Sequence, residues 1–223
     1  MPKSVHVSGP LDGLREALEE RIQRAGASIV DQAEKADVTI QIDGQENCDI
    51  AIIPHGSRFS NSGIVIELSD VIIPNGGRKW GNGIMIDWIE QIMSGKQPAL
   101  ESNTRFWINV RDVVDAISTI CLSEKENIPD GNYRMCGRRS WEMEDVADEI
   151  RVLWERYNNT INHSHTVESL SEVPSPVRGI HSEIVEKPDL SNLHEVLIKI
   201  SGDGWHPLVP MRVSLMEMIA SAK

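Results

Sequence analysis

An arginine heads an apolar stretch, with Arg105 placed before Phe106, Trp107, Ile108 and Val110. A guanidinium at the head of a strand that turns into a helix can hold a phosphate through two parallel N–H bonds. An ordinary surface arginine ahead of a buried element is the alternative. A second arginine, Arg178, follows Pro174 and Pro176, with His181 just beyond it. Near the N-terminus Gly9 closes an apolar–polar run, and Asp31 ends the next apolar run after an intervening helical pattern. Such a β-α-β opening can set a phosphate on a helix N-terminus and a ribose hydroxyl on the acid. The glycine turn is incomplete. Three and six places after Gly9 stand Asp12 and Arg15, and Gly13 is one place off. The polar loop 55–63 carries His55, Ser57, Arg58 and Ser60, a serine beside a histidine with no third group to orient the base. His163 and His165 form an H-x-H pair without converging ligands, so no metal is indicated.

The elements that must position these residues follow from periodicity. Residues 4–8 read as a strand, and Asp12 can cap a helix with Leu14, Ala17, Leu18 and Ile22 inward, stopped by Gly26. Residues 27–30 read as a second strand. Runs at 38–42, 49–53 and 64–68 are continuously apolar or β-branched, as in a parallel sheet covered on both faces. Residues 81–95 predict a helix with Ile84, Trp88, Ile89, Ile92 and Met93 inward. From Val110 the spacing of Val113, Val114, Ile117 and Ile120 predicts a helix, with Asp112 in its first turn. Tyr133 falls in a further strand. Helices are expected from Ser140 to the Asn158-Asn159 pair, over 189–200 and over 211–220, with a turn at Gly204-Trp205-His206-Pro207.

The chain has 223 residues and a net charge of −12, which argues against a broad nucleic-acid or anionic-membrane surface. Its three cysteines, Cys48, Cys121 and Cys136, are odd in number and widely spaced, so buried free thiols are expected. No apolar run approaches a membrane span and the N-terminus lacks a signal-peptide pattern, so a cytoplasmic location is expected.

The ordered series is more telling than any one motif. S-D-V-I-I-P at 69–74 is followed by G-N-G-I at 81–84, x-P-A-L at 97–100 and R-F-W-I-N-V-R-D-V-V-D-A-I at 105–117. Then come D-G-N-Y-R-M-C-G at 130–137, V-R-G-I-H at 177–181 and G-W-H-P-L-V-P at 204–210. This series resembles the extended short-chain dehydrogenase/reductases, the nucleotide-sugar epimerases and dehydratases. The resemblance covers about residues 63–222 in order and 1–55 more loosely.

The resemblance implies an α/β fold: a reduced Rossmann-like parallel sheet with helices on both faces, plus a small α/β C-terminal substrate-binding subdomain. The Rossmann part would be 1–75 with 104–135 returning to it; 76–103 and 136–223 would form the subdomain. It implies a pyrophosphate clamp of Arg105 and Arg178, with His181 in place of the acid that contacts ribose. Trp107 falls near the nucleotide, Asn82, Gly83 and Ile84 on a loop that touches phosphate and base, and Leu100 on the strand that reads the base. Asp70 stands where asparagine is frequent. NAD or NADP would lie on Gly9, Gly13 and Asp31.

One departure changes the expected chemistry. The family's acid/base is a Tyr-x-x-x-Lys pair on a helix. Here Tyr133 is followed four places on by Gly137, and Tyr157 by Ile161. The interval that should carry the pair is 55–63, too short for a helix, a strand and another helix. The expectation is therefore a nucleotide or nucleotide-sugar binding protein, monomer or homodimer, without conventional hydride-transfer epimerisation. An NAD(P)-dependent enzyme with relocated groups, drawn from His55, Ser57 or Tyr133, is a second reading. A non-redox nucleotide-processing enzyme or a regulatory subunit is a third.

Overall fold

A computed structural model describes residues 2–59, 61–100, 104–167 and 186–222. Its centre is a six-stranded parallel sheet in the order β2-β1-β3-β4-β5-β8. The strands are β1 (Ser4–Ser8), β2 (Ser28–Ile29), β3 (Val38–Ile42), β4 (Ile50–Pro54), β5 (Ile64–Leu68) and β8 (Gly131–Met135). A parallel pair, β6 (Val71–Ile72) and β7 (Ile108–Asn109), stands apart from it. The helices are α1 (Leu14–Arg24), α2 (Asn82–Met93), α3 (Val110–Leu122), α4 (Met143–Ile161), α5 (Ser191–Ser201) and α6 (Met211–Ser221). This is the α/β Rossmann-like arrangement expected. The strand order reverses direction at β1 and β3, so the crevice beyond their carboxyl ends is where such sheets place ligands.

Side chains alternate across each strand, which gives the sheet two distinct faces. Val5, Val7, Ile40, Ile42, Ile50, Ile52, Ile64, Ile66, Tyr133 and Met135 share one core with the apolar stripes of α1, α3 and α5. The register carries a different row across the other face: Ser8, Gln41, Ala51, Val65 and Asn132 stand side by side. Among the described residues, Ala51, Ile53 and Val65 make the apolar cluster there, and the loop residues Cys48 and Phe59 pack on it. The physical reason is connection length. β3 reaches β4 through 43–49, and β4 reaches β5 through 55–63, so neither link has room for a helix lying on this face. The two ends of that row are polar, with Asn132 donating to Glu67 at 3.2 Å and Ser8 to Gln41 at 3.0 Å, while Gln41, Ala51 and Val65 between them are buried.

A second core joins Ile72 and Trp107 to the inward faces of α2, α4 and α6. Three boundary shifts bear on the site. The expected strand at 106–110 shrinks to β7, because 105–107 is held only by an isolated antiparallel bridge between Arg105 and Trp141 and one backbone bond from Gly137. The helix after Ser140 begins at Met143 and continues past Asn158-Asn159 to Ile161. α1 is capped by Gly13 rather than Asp12.

Candidate functional site

The glycine turn is the first place to look for a cofactor. Gly9 and Gly13 both take positive φ, +123° and +88°, as close backbone packing requires. Gly9 lies against Ile42 of β3, and what packs on Gly13 is this chain's own segment 73–80. A Cβ on Gly13 would lie 2.8 Å from Gly76 Cα and 2.8 Å from Ile73 Cγ2. Gly77 N donates to Asp12 O at 3.0 Å, and the buried Trp80 donates its Nε1 to Asp12 Oδ2 at 2.9 Å. Two of the helix-end donors are also engaged: Gly13 N reaches Glu16 Oε2 at 2.6 Å, and Leu14 N reaches Asp12 Oδ1 at 3.3 Å. Two carboxylates thus occupy the helix end where a pyrophosphate would bind, and like charges repel. Asp31 is exposed at the sheet edge. These residues do not fit a dinucleotide pyrophosphate in this conformation.

Asn82 is wholly buried and ties the same segment together, accepting from Ile73 N at 3.0 Å and donating to Ile73 O at 3.0 Å and Gly77 O at 2.9 Å. Gly83 and Ile84 continue that turn through backbone bonds to Arg78 and Gly81. Leu100 is exposed at 36%. Arg178 and His181 lie outside the described residues.

Arg105 has a protein partner. Its Nη1 donates to Asp70 Oδ1 at 3.0 Å, and the other oxygen of Asp70 accepts from Phe106 N at 2.9 Å. Asp70 itself is 7% exposed at φ +55°, a left-handed conformation that asparagine and aspartate tolerate. Arg105 Nε is buried without a hydrogen bond.

The catalytic candidates His55, Ser57 and Tyr133 are not brought together. His55 is exposed at the carboxyl end of β4, its Nδ1 2.9 Å from Glu67 Oε2. Ser57 lines a cavity with Arg58, Phe59 and Asn132 that His55 does not line. Tyr133 is buried on the helix-covered face, its hydroxyl donates to Pro129 O at the opposite end of β8, and burial raises its pKa. Tyr157 stacks on Trp154 along α4.

A cavity of about 540 Å3 opens instead beside β7. Trp107, Asn109, Arg138, Arg139, Trp141 and His206 line it, over a floor that includes Ile72, Ile108 and Met211. Local bonds explain its shape. Trp141 and Arg105 exchange backbone bonds of 2.8 and 3.1 Å, and Gly137 donates to Phe106 O at 2.8 Å, so 137–141 runs along the 105–107 strand. Gly137 is required there: a Cβ would meet Trp107 O at 2.3 Å. The facing wall, 205–211, hangs from three fixed points. Asp112 accepts from Leu208 N at 2.8 Å and Val209 N at 3.1 Å. Trp205 donates its indole N–H to Cys136 O at 2.9 Å. Arg138 Nη1 donates to His206 Nδ1 at 2.8 Å. Burial pushes the Asp112 carboxyl up, against the pull of those backbone donors. Arg139 stacks 4.2 Å over the Trp141 ring. The indole Nε1 of Trp107 is buried with no hydrogen-bond partner, a defect that costs about 1–3 kcal/mol.

Sequence reasoning singled out Trp107 here but missed Arg138, Arg139, Trp141 and His206. The available signal was G-R-R-S-W directly after β8, two cations at the carboxyl end of a parallel strand. Among the described residues no group of three or more His, Cys, Asp or Glu is placed to hold a metal, and no helix is long and apolar enough to cross a membrane.

No family model matches the chain, and no curated protein matches it in sequence. Solved structures do match in fold. RMD from Pseudomonas aeruginosa, complexed with NADPH, superposes with a TM-score of 0.65 at 11% identity, covering 99% of each chain. UDP-glucuronic acid 4-epimerase from Bacillus cereus, with NAD, gives 0.61 at 10% identity, covering 98% of each. The Bordetella bronchiseptica enzyme WbmF, with NAD+ and UDP, gives 0.58 at 12% identity, covering 98% of this chain and 91% of that one. The fold of this chain is that of the extended short-chain dehydrogenase/reductase epimerases and dehydratases; among the described residues no helix joins the Ala51, Ile53 and Val65 cluster on one face of its sheet.

Proposed function

We propose that the protein binds a nucleotide or nucleotide-sugar and does not carry out hydride transfer. The observation that carries this reading is the filled glycine turn: Gly76, Gly77 and Trp80 pack where a dinucleotide pyrophosphate would lie, and Asp12 and Glu16 take two of the helix-end donors. The connection 55–63 adds to it, since no helix follows β4 to present a tyrosine and lysine to a nicotinamide. The arginine- and tryptophan-lined cavity beside β7 supports retained binding of an anionic, ring-bearing ligand.

Calorimetry with UDP, TDP and their sugars, alongside fluorescence titration with NADH and NADPH, tests both halves. Saturable binding of a nucleotide with silence for both nicotinamides is expected. No nucleotide binding at millimolar ligand would sink the reading. Saturable NADH binding would favour an active NAD(P)-dependent enzyme, in line with the NAD(P) complexes of the structural neighbours, and would require 73–80 to leave the turn.

A further inference from the structure

We infer a second ligand site, on the sheet face opposite α1 and α3, that takes a small carboxylate with a planar apolar body. It is independent of the nucleotide-binding reading and of the cavity beside β7.

The site grows out of the link between β4 and β5. Residues 55–63 are too few to lay a helix along the sheet, so they cross as a loop. Phe59 of that loop packs on Ala51, Ile53 and Val65, all buried. Beside it lies a cavity of about 430 Å3, lined by Ile53, Ser57, Arg58, Phe59, Val65 and Asn132. That volume is in the range of small-molecule sites.

The lining divides in two. Ile53, Val65 and the half-buried Phe59 ring supply apolar contact area, and an aromatic wall favours a flat partner. Ser57, Arg58 and Asn132 are exposed and form a polar rim. The rim comes from two segments, because the register sets Asn132 beside Val65. Asn132 donates its amide N–H to Glu67 at 3.2 Å, which leaves its amide oxygen to accept from a ligand.

Arg58 decides the charge of the ligand. It is the one charged residue of the lining. Among the described residues neither its guanidinium nor the Ser57 hydroxyl has a hydrogen-bond or ion-pair partner. Other exposed arginines of this chain are paired: Arg24 with Glu20, Arg78 with Asp87 and Arg111 with Glu217. Glu67, two places along β5 from Val65, is engaged by His55 and Asn132 and does not line the cavity. The Arg58 fork is therefore available to an oxyanion, and it matches a carboxylate bidentately. One arginine compensates one charge. A phosphate dianion would bring excess negative charge to a chain of net charge −12, so the monoanion is favoured.

Isothermal titration of benzoate into the full chain tests this, with benzyl alcohol, phenyl phosphate and UDP as competitors. Benzoate should bind saturably at millimolar concentration. Benzyl alcohol lacks the charge, and phenyl phosphate is a dianion above neutral pH; each should displace benzoate at least about fivefold less effectively. UDP should leave the benzoate affinity within about twofold, since the two sites are separate. Arg58→Ala should weaken benzoate by about fivefold or more, a loss of the size expected for a charge-assisted pair at an exposed rim. Arg58→Lys keeps the charge, loses the fork and should fall between. Arg78→Ala, on an exposed arginine paired with Asp87, should stay within about twofold of the parent. Thermal melts of each variant separate loss of binding from loss of folding. Absence of benzoate binding, binding that ignores Arg58→Ala, or displacement by UDP overturns the site. Tighter binding of phenyl phosphate than of benzoate, lost in Arg58→Ala, overturns the choice of a carboxylate. None of these results bears on whether UDP itself binds, which its own titration decides.

Discussion

Replacing Asp70 by alanine isolates what Arg105 does. Asp70 is 7% exposed and accepts two bonds, one from the Arg105 guanidinium and one from Phe106 N. Breaking a fully buried ion pair costs about 3–5 kcal/mol, because the other charge is left without a partner. The Arg105 side chain keeps 29% exposure, so water recovers part of that, and about 2 kcal/mol is a fairer figure for the charge. The orphaned Phe106 N–H adds about 1 kcal/mol. The sum, about 3 kcal/mol, lowers Tm by roughly 6–12 °C for a chain of this size. Asp70→Asn keeps an acceptor and tolerates φ +55°, so about half the loss is expected there. Urea unfolding of Asp70→Ala, Arg105→Met and the double variant gives the coupling, which should exceed about 1 kcal/mol in the stabilising direction. If Asp70→Ala unfolds within about 0.5 kcal/mol of the parent, or the double variant shows no coupling, the pairing is incidental. Arg105 would then again be a candidate for the ligand.

Three further outcomes are expected. Gly13→Ala should destabilise by roughly 2–4 kcal/mol in urea, from its φ of +88° plus the backbone of Gly76. Gly26→Ala, at φ +89° in open space, should cost only about 1 kcal/mol. In thiol labelling at pH 8, Cys121 and Cys136 should stay unreactive until the chain unfolds, since burial pushes their thiols up to about 12 and about 11; rapid labelling of either in the folded protein would contradict that packing. Glu149→Leu should raise stability by about 1 kcal/mol at pH 7, because both Glu149 oxygens are buried without hydrogen bonds and Arg212 Nε lies 3.5 Å away. Burial raises the Glu149 pKa above 4.5 in the fold, so the folded state holds the proton longer. Parent stability should therefore fall as pH rises from about 4.5 through the raised value, and the leucine variant should lose that slope.

What the sequence alone determined is the succession of elements. The Ile- and Val-rich runs of β3, β4 and β5 and the 3.6-residue stripes of α1 and α3 are local patterns, and burial of one face is the only stable use for them. The missing Tyr-x-x-x-Lys helix was equally legible, because nine residues at 55–63 cannot hold it. Tertiary structure alone decided how the candidate site is built. Asp70 and Arg105 are thirty-five positions apart, and nothing local says that their charges meet. Gly13 and Gly76 touch only because the chain returns over α1. Arg138, His206 and Trp107 come from three separate segments, and the wall that joins them hangs on Asp112, which in sequence looks like a helix-dipole residue and no more. Periodicity is carried by neighbours three and four residues apart. A cavity is defined by which distant backbones approach, and that is fixed by how the packed layers close.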